Sequence, residues 1–259
     1  MDFSNRYIIG FSLALCLVCS LAVSSVAVAL KDRQELNKRL DQQVKVLALA
    51  GLLPEEGKPS PEEAVRLFEE KVKLLLVDRT TGEHLGEVAF GEVDPVAEAK
   101  DPATSASPSD PAAREAQIRR VPNRLLVFVA STEEGEVLVL PIWGNGLWST
   151  MYGYLALDGR RPVVDGIVFY QHGETPGLGG EIDNPGWRAQ WPGKEFWDSE
   201  GNVVVEVVKS GHVRDPKHQV DGISGATLTS RGVDATVRFW LGPEGYGPFL
   251  KRHYQEASR

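Results

Sequence analysis

Four hydroxyls crowd into one short stretch of this chain: Ser224, Thr227, Thr229 and Ser230 within "DGISGATLTSRGV", residues 221–233. An apolar series at helical spacing follows (Val233, Val237, Trp240, Leu241) and stops at Gly242 and Pro243. The stretch therefore reads as a helix start, where a Ser, Thr or Asp side chain caps the first unpaired N–H groups. A second use is open to the same residues. The free N–H groups and the dipole at a helix N-terminus attract phosphate, and a phosphate joined to a threonine there would meet the same donors. A third is nucleophilic catalysis with Ser224 as nucleophile, His172 as base and Asp221 as orienter. "GISGA" departs from the G-x-S-x-G elbow at Ala226.

Two further stretches are dense in glycine. "WGNGLWSTMYGY", residues 143–154, sets glycines among aromatics, and "HGETPGLGGEI", residues 172–182, lies between a strand-like run and a Trp-rich one. Glycines of this kind let backbone approach a ligand closely. Trp143, Trp148, Trp187, Trp191 and Trp197 are candidates to stack on an aromatic ring, and each is equally a candidate for the core. His172, His212, His218 and His253 show no metal-ligand spacing, so no metal site is expected. No strand–GxGxxG–helix fingerprint for a dinucleotide is present.

The elements that must position these residues follow from patterning. Residues 7–30 carry no charge and, at 1.5 Å per residue, reach about 36 Å, enough for a hydrocarbon core of about 30 Å. A signal peptide usually has an apolar region of only about 7–15 residues, so 7–30 is read as a single transmembrane helix after a tail at 1–6, with membrane lipid as its surroundings. Arg6 on one side and Lys31, Arg33, Lys38 and Arg39 on the other would by count keep the large domain in the cytoplasm, although long folded domains translocate largely regardless of charge. Cys16 and Cys19 both lie in this span, and no cysteine follows it. The span has no acidic residue to mark an ion path.

Beyond it, Leu36, Leu40, Val44 and Leu47 continue a helix that should stop at Gly51 and Pro54. Ser60, Pro61 and Glu63 predict a capping box opening a helix that runs into a strand at 74–78. Residues 95–120, rich in Pro, Ala, Ser and Asp, read as a surface insertion. Strands are expected at 124–130, 136–144, 151–157, 163–170 and 202–210. The fold class is α+β: an N-terminal transmembrane helix, then a soluble domain of antiparallel strands with flanking helices. Its parts are an extension with the insertion over 31–122 and a ligand-binding domain over 123–259. With 28 basic and 36 acidic residues and a net charge of −8, the chain is not expected to bind nucleic acid.

"SGATLTS" at 224–230, "GLWSTMYGYLAL" at 146–157 and "HGETPGLGGEI" at 172–182, in this order with the single N-terminal span, "VLALAGLL", "NPGWRAQWPGK" and "FWLGPEGYGPFL", resemble the NqrC family, the C-type subunits of the Na+-translocating NADH:quinone reductase. The resemblance covers most of the chain, the 95–120 insertion least. It implies FMN esterified through its phosphate to the threonine of S-G-A-T, here Thr227. A flavin transferase attaches it. It also implies that single electrons are relayed within a six-subunit complex of the bacterial inner membrane, which couples NADH oxidation and quinone reduction to Na+ export. The soluble domain then lies on the periplasmic side, against the charge count.

On that pattern Ser224, Gly225 and Ala226 cradle the phosphate, and Thr229 is the competing attachment site. Glu174, Thr175, Gly177 and Leu178 line the isoalloxazine, Trp148 forms the opposite wall, and Lys209 faces the phosphate. No residue is expected to be catalytic, since the chemistry is the cofactor's. The alternatives are the G-type component of the related Rnf electron-transport complex, a single-pass protein whose outer domain binds a non-redox ligand, and the Ser224 hydrolase.

Overall fold

The computed structural model describes residues 4–53 and 59–257. Residues 1–3 of the expected tail and Pro54 lie outside them. The chain divides into two compact units, Met1–Asp41 and Gln42–Arg259. Helix α1 (Asn5–Leu49), 45 residues long, begins in the first and ends in the second. Its segment up to Leu30 is exposed throughout and is long and apolar enough to cross a membrane. It fits a single-pass anchor.

In the second unit the last turns of α1 bury Gln43, Val46 and Leu47, with Ala50 just beyond. The helix ends as its glycine predicts. Gly51 adopts φ +67°, and Leu52 N–H and Gly51 N–H donate to the carbonyls of Leu47 and Ala48 at 2.9 and 3.2 Å, the paired bonds of a left-handed helix stop. Helix α2 (Pro61–Lys71) opens on the expected capping box, in which Ser60 N–H donates to Glu63 Oε2 (2.9 Å) and Glu63 N–H to Ser60 Oγ (3.2 Å). It runs directly into β1 (Val72–Asp78), and β2 (His84–Glu87) follows.

Residues 95–120 correct the expectation of a surface insertion. They form α3 (Pro95–Lys100), β3 (Ser105–Ala106) and α4 (Pro111–Glu115), and β3 pairs with β4 (Val121–Pro122). Asp94 and Asp110 cap the two helices with Pro at the first helical position. Ala99, Ala112, Ala113, Ala116 and Ile118 enter the main core. Alanines fill a tightly packed layer without raising the hydropathy that would have marked the segment as core.

The sheet continues with β5 (Arg124–Ser131), β6 (Glu136–Asn145), β7 (Thr150–Asp158) and β8 (Val164–Gln171). Its order is β2-β1-β5-β6-β7-β8, antiparallel throughout. It crosses the position 122/123 expected as a domain boundary, because β1 pairs with β5 along its whole length. Both faces are covered, which is why 124–130 is continuously apolar rather than alternating. Leu125, Val127 and Val129 enter one core, and Leu126, Phe128 and Ala130 enter the other, with Val46, Leu47 and Phe68. Pro141, in the middle of β6, has no N–H to donate. The Tyr246 hydroxyl lies 3.1 Å from the Leu126 carbonyl and 3.0 Å from that of Pro141, filling the gap in the ladder.

After β8 come a 3₁₀ turn (Gly179–Asp183), α5 (Pro185–Arg188), β9 (Glu206–Val208), β10 (Gln219–Asp221), α6 (Thr227–Leu241) and α7 (Gly247–Ala257). The strand expected over 202–210 shrinks to β9, which pairs in parallel with β10. Val207 N–H is diverted to Asp234 Oδ1 on α6 at 2.7 Å.

Asp165 on β8 gives a pH signature. Burial and the charge of Asp158 push its carboxyl up to about 6. A carboxyl raised in the folded state favours folding while protonated, so its contribution declines as pH rises from about 4 through 6 and is flat above. Asp165→Asn should therefore raise the melting temperature at pH 8 and change it little at pH 4, as thermal melts at the two pH values will show.

Candidate functional site

Between β10 and α6 the chain turns through Gly222–Ala226. Gly222 N–H donates to the Val208 carbonyl at 2.9 Å, and Gly225 sits at φ +78°, a conformation that strains residues with a Cβ. Helix α6 begins at Thr227 as expected, but no hydroxyl caps it: the capping position is Ala226, with no side-chain bond. Among the described residues, the N–H groups of Thr227, Leu228 and Thr229 have no acceptor. They are three unspent donors at the positive end of a 15-residue helix.

The four hydroxyls have separate fates. Ser230 Oγ is buried and accepts from Ile223 N–H at 3.0 Å. Thr229 is 1% exposed, and its Oγ1 donates to Glu174 Oε2 at 2.6 Å. Ser224 and Thr227 are exposed, and among the described residues neither hydroxyl has a partner.

Glu174 holds the neighbouring loop to this helix. Its Oε1 accepts from Trp148 N–H (2.9 Å) and Ser149 N–H (3.3 Å), and its Oε2 from Leu147 N–H (3.2 Å) besides Thr229. Burial pushes this carboxyl up, and the Thr229 hydroxyl with the three amides outweighs that, so its pKa falls below the ordinary value. Removing one partner of such a buried charged network costs several kcal/mol. Glu174→Ala should lower the unfolding free energy by about 3 kcal/mol in chemical denaturation, since it strands four donors.

The remaining candidates lie on the 146–149 loop, on the 172–182 loop and just after β9. A Cβ placed on Gly225 would lie 3.3 Å from Leu178 Cδ2, so Leu178 covers the turn. Leu178, Trp148, Leu147 and Leu228 are large apolar side chains left exposed. Thr175 and Gly177 are exposed on the same loop as Leu178. Lys209 is exposed just after β9, one residue beyond the Val208 carbonyl that Gly222 bonds. Glu174 is the exception, since its carboxylate is buried beneath the 146–149 loop rather than facing outward. Of the six tryptophans only Trp148 is exposed; Trp143, Trp187, Trp191 and Trp197 are buried, as is Trp240. Sequence patterning missed Leu147 and Leu228. Their signal is apolar residues directly beside Trp148 and Thr227, where a plain helix start or turn would be polar.

The hydrolase arrangement does not form. His172 Nε2 pairs with Asp183 Oδ2 at 2.8 Å, and Asp221 Oδ1 accepts from Gly211 N–H at 2.7 Å. Among the described residues no group of three His, Cys, Asp or Glu side chains is placed to hold a metal.

Among the described residues, an unbonded threonine hydroxyl and free amides at a helix head, with exposed apolar side chains at Leu147, Trp148, Leu178 and Leu228, suit a ligand with a phosphate and a flat ring. The comparisons with known proteins agree. The FMN-binding domain model matches residues 146–242. The NqrC protein of Pseudomonas aeruginosa, from its Na(+)-translocating NADH-quinone reductase, is 46% identical over 248 residues, covering 92% of each chain. That of Vibrio parahaemolyticus is 42% identical over 253 residues, covering 96% of this chain and 95% of its own. This chain belongs to the NqrC family of the Na+-translocating NADH-quinone reductase. The crystal structure of Shewanella oneidensis NqrC superposes with a TM-score of 0.76 at 34% identity, over 85% of this chain and 99% of that one. The segment matched by the FMN-binding model holds Leu147, Trp148, Leu178 and Leu228 together with Glu174 and Thr227.

Proposed function

We propose that this chain is the flavin-carrying electron relay of a six-subunit Na+-pumping NADH:quinone oxidoreductase, with FMN joined through its phosphate to Thr227 by a separate flavin transferase. The observation that carries the reading is the division of the two threonines: among the described residues Thr227 is exposed and unbonded at the head of α6, while Thr229 is buried and bonded. FMN supplies reversible electron transfer, and a covalent tether suits a relay that never exchanges its cofactor. The residues supply the rest. The amides of Thr227, Leu228 and Thr229, with Ser224 and Gly225, offer donors to phosphate. Ala226 spaces the turn, and Lys209 adds a nearby cation. Leu178, Thr175 and Gly177 line one side of the ring site, with Leu147, Trp148 and Leu228 as apolar contacts that keep water off the ring. Glu174 fixes these walls from beneath.

Helix α1 anchors the chain in the bacterial inner membrane, with the soluble unit on the periplasmic side. Lys31, Arg33, Lys38 and Arg39 oppose that orientation by count, and the weak hold of the charge rule on long translocated domains removes the conflict. The relay role is tested in membranes of a strain lacking its own NqrC. The wild-type chain should restore Na+-stimulated quinone reduction by NADH, and Thr227→Ala should not, while NADH oxidation by an artificial acceptor persists in both. Full quinone reduction by the Thr227→Ala membranes would refute the relay.

A further inference from the structure

Trp148 is 70% exposed and has no ring contact or side-chain hydrogen bond among the described residues. Its place is therefore set by its backbone. That backbone is held by the Glu174 carboxylate, which takes the N–H groups of Leu147, Trp148 and Ser149 at 3.2, 2.9 and 3.3 Å. The same carboxylate accepts from the Thr229 hydroxyl at 2.6 Å, two residues along α6 from Thr227. One buried group thus joins the loop bearing the exposed indole to the helix turn bearing the exposed threonine.

The surrounding backbone is shaped for this junction. A Cβ on Gly146 would come within 2.6 Å of Glu174 Oε1, and one on Gly179 within 2.5 Å of Thr229 Oγ1 and 2.7 Å of Glu174 Oε2. Glycine at both positions lets the chain close over the carboxylate. Four donors converge on two oxygens of a buried carboxylate, where losing a partner is costly.

We propose that Thr229 and Glu174 form a clamp that positions Trp148 relative to the flavin carried at Thr227, with Thr229 transmitting the position of α6 to the 146–149 loop. Thr229 is a positioning residue: it acts on the ring site through Glu174 and Trp148. The inference rests on the flavin reading only for the ring that Trp148 meets, and the clamp itself exists without it.

The test has two readouts on the full chain in detergent. In protein made without a transferase, amide hydrogen exchange is followed at 147–149. Thr229→Val, which keeps the side-chain shape and deletes the hydroxyl, should speed exchange there by about tenfold, the equivalent of one net hydrogen bond. Thr229→Ser, which keeps the hydroxyl, should leave it unchanged. In protein co-expressed with a flavin transferase, Thr229→Val and Trp148→Phe should each brighten the attached flavin by loosening or removing the stacked indole. The double variant should be no brighter than Trp148→Phe alone, because both changes act through one contact. Unchanged exchange at 147–149 in Thr229→Val overturns the clamp, and so does brightening that adds to that of Trp148→Phe. If no chain carries flavin, the attachment reading falls by itself and the exchange result alone decides the clamp.

Discussion

Thr227→Ala should yield a folded chain that carries no covalent flavin, whereas Thr229→Val should carry it. The two residues are alike and two positions apart, so the contrast isolates environment from chemistry. Attachment needs an oxygen that a transferase and a bulky flavin donor can reach. The Thr227 hydroxyl is exposed and bonded to nothing among the described residues, so its removal breaks no hydrogen bond and should change stability by less than about 0.5 kcal/mol. The Thr229 hydroxyl is 1% exposed and engaged by Glu174 at 2.6 Å. Its removal disturbs the loop but takes away no attachment point. Flavin fluorescence of the denatured polypeptide in a gel, after co-expression with a transferase, reads both variants. Fluorescence lost with Thr229→Val and kept with Thr227→Ala would reverse the assignment.

Gly232→Ala should be the most damaging single methyl in the site. A Cβ there would lie 2.2 Å from the Asn145 carbonyl oxygen and 3.1 Å from Gly146 Cα. Both obstacles are backbone, so no side chain can swing aside. Gly144 makes the reciprocal approach, since a Cβ on it would meet Thr236 Oγ1 at 2.0 Å. Helix α6 thus lies on the end of β6 through two glycines, and this close approach sets the helix against the chain at Asn145 and Gly146. Ala would gain about 1 kcal/mol of helix propensity, but overpacking against fixed backbone costs about 1–3 kcal/mol and occasionally more. Because the obstacle is fixed backbone, the cost falls at the upper end of that range, and a net loss of about 2 kcal/mol is expected, read as a lowered denaturation midpoint. Flavin loading should fall as well, since α6 must lift away from the loop.

The elements with strong local signals were legible in the sequence. The capping box at Ser60, the glycine stop at Gly51 and the β-strands from Arg124 to Gln171 follow from residue types and spacing within a few neighbours. The start of α6 was legible too, but not its chemistry. Four hydroxyls invite the idea of a cap, and only tertiary contacts divide them into two buried and bonded and two exposed and free. Glu174 shows the same limit: in sequence it sits in a glycine-rich loop that suits a ligand wall, and the partner that draws it inward, Thr229, is 55 residues away. The 95–120 segment was misread because alanine is weakly apolar in isolation yet buries completely in a tight layer. Its Asp94-Pro95 and Asp110-Pro111 pairs, each a cap followed by a first-turn proline, were the local signal of the two helices.

Peptide mass spectrometry on the chain co-expressed with a flavin transferase decides whether the hydroxyl of Thr227 tethers FMN. Trypsin should release residues 218–231, "HQVDGISGATLTSR", as one peptide containing all four hydroxyls. This peptide should gain the mass of FMN less one water, with fragment ions placing the addition on Thr227. An unmodified peptide beside an active transferase, or an addition placed on Ser224, Thr229 or Ser230, would contradict it.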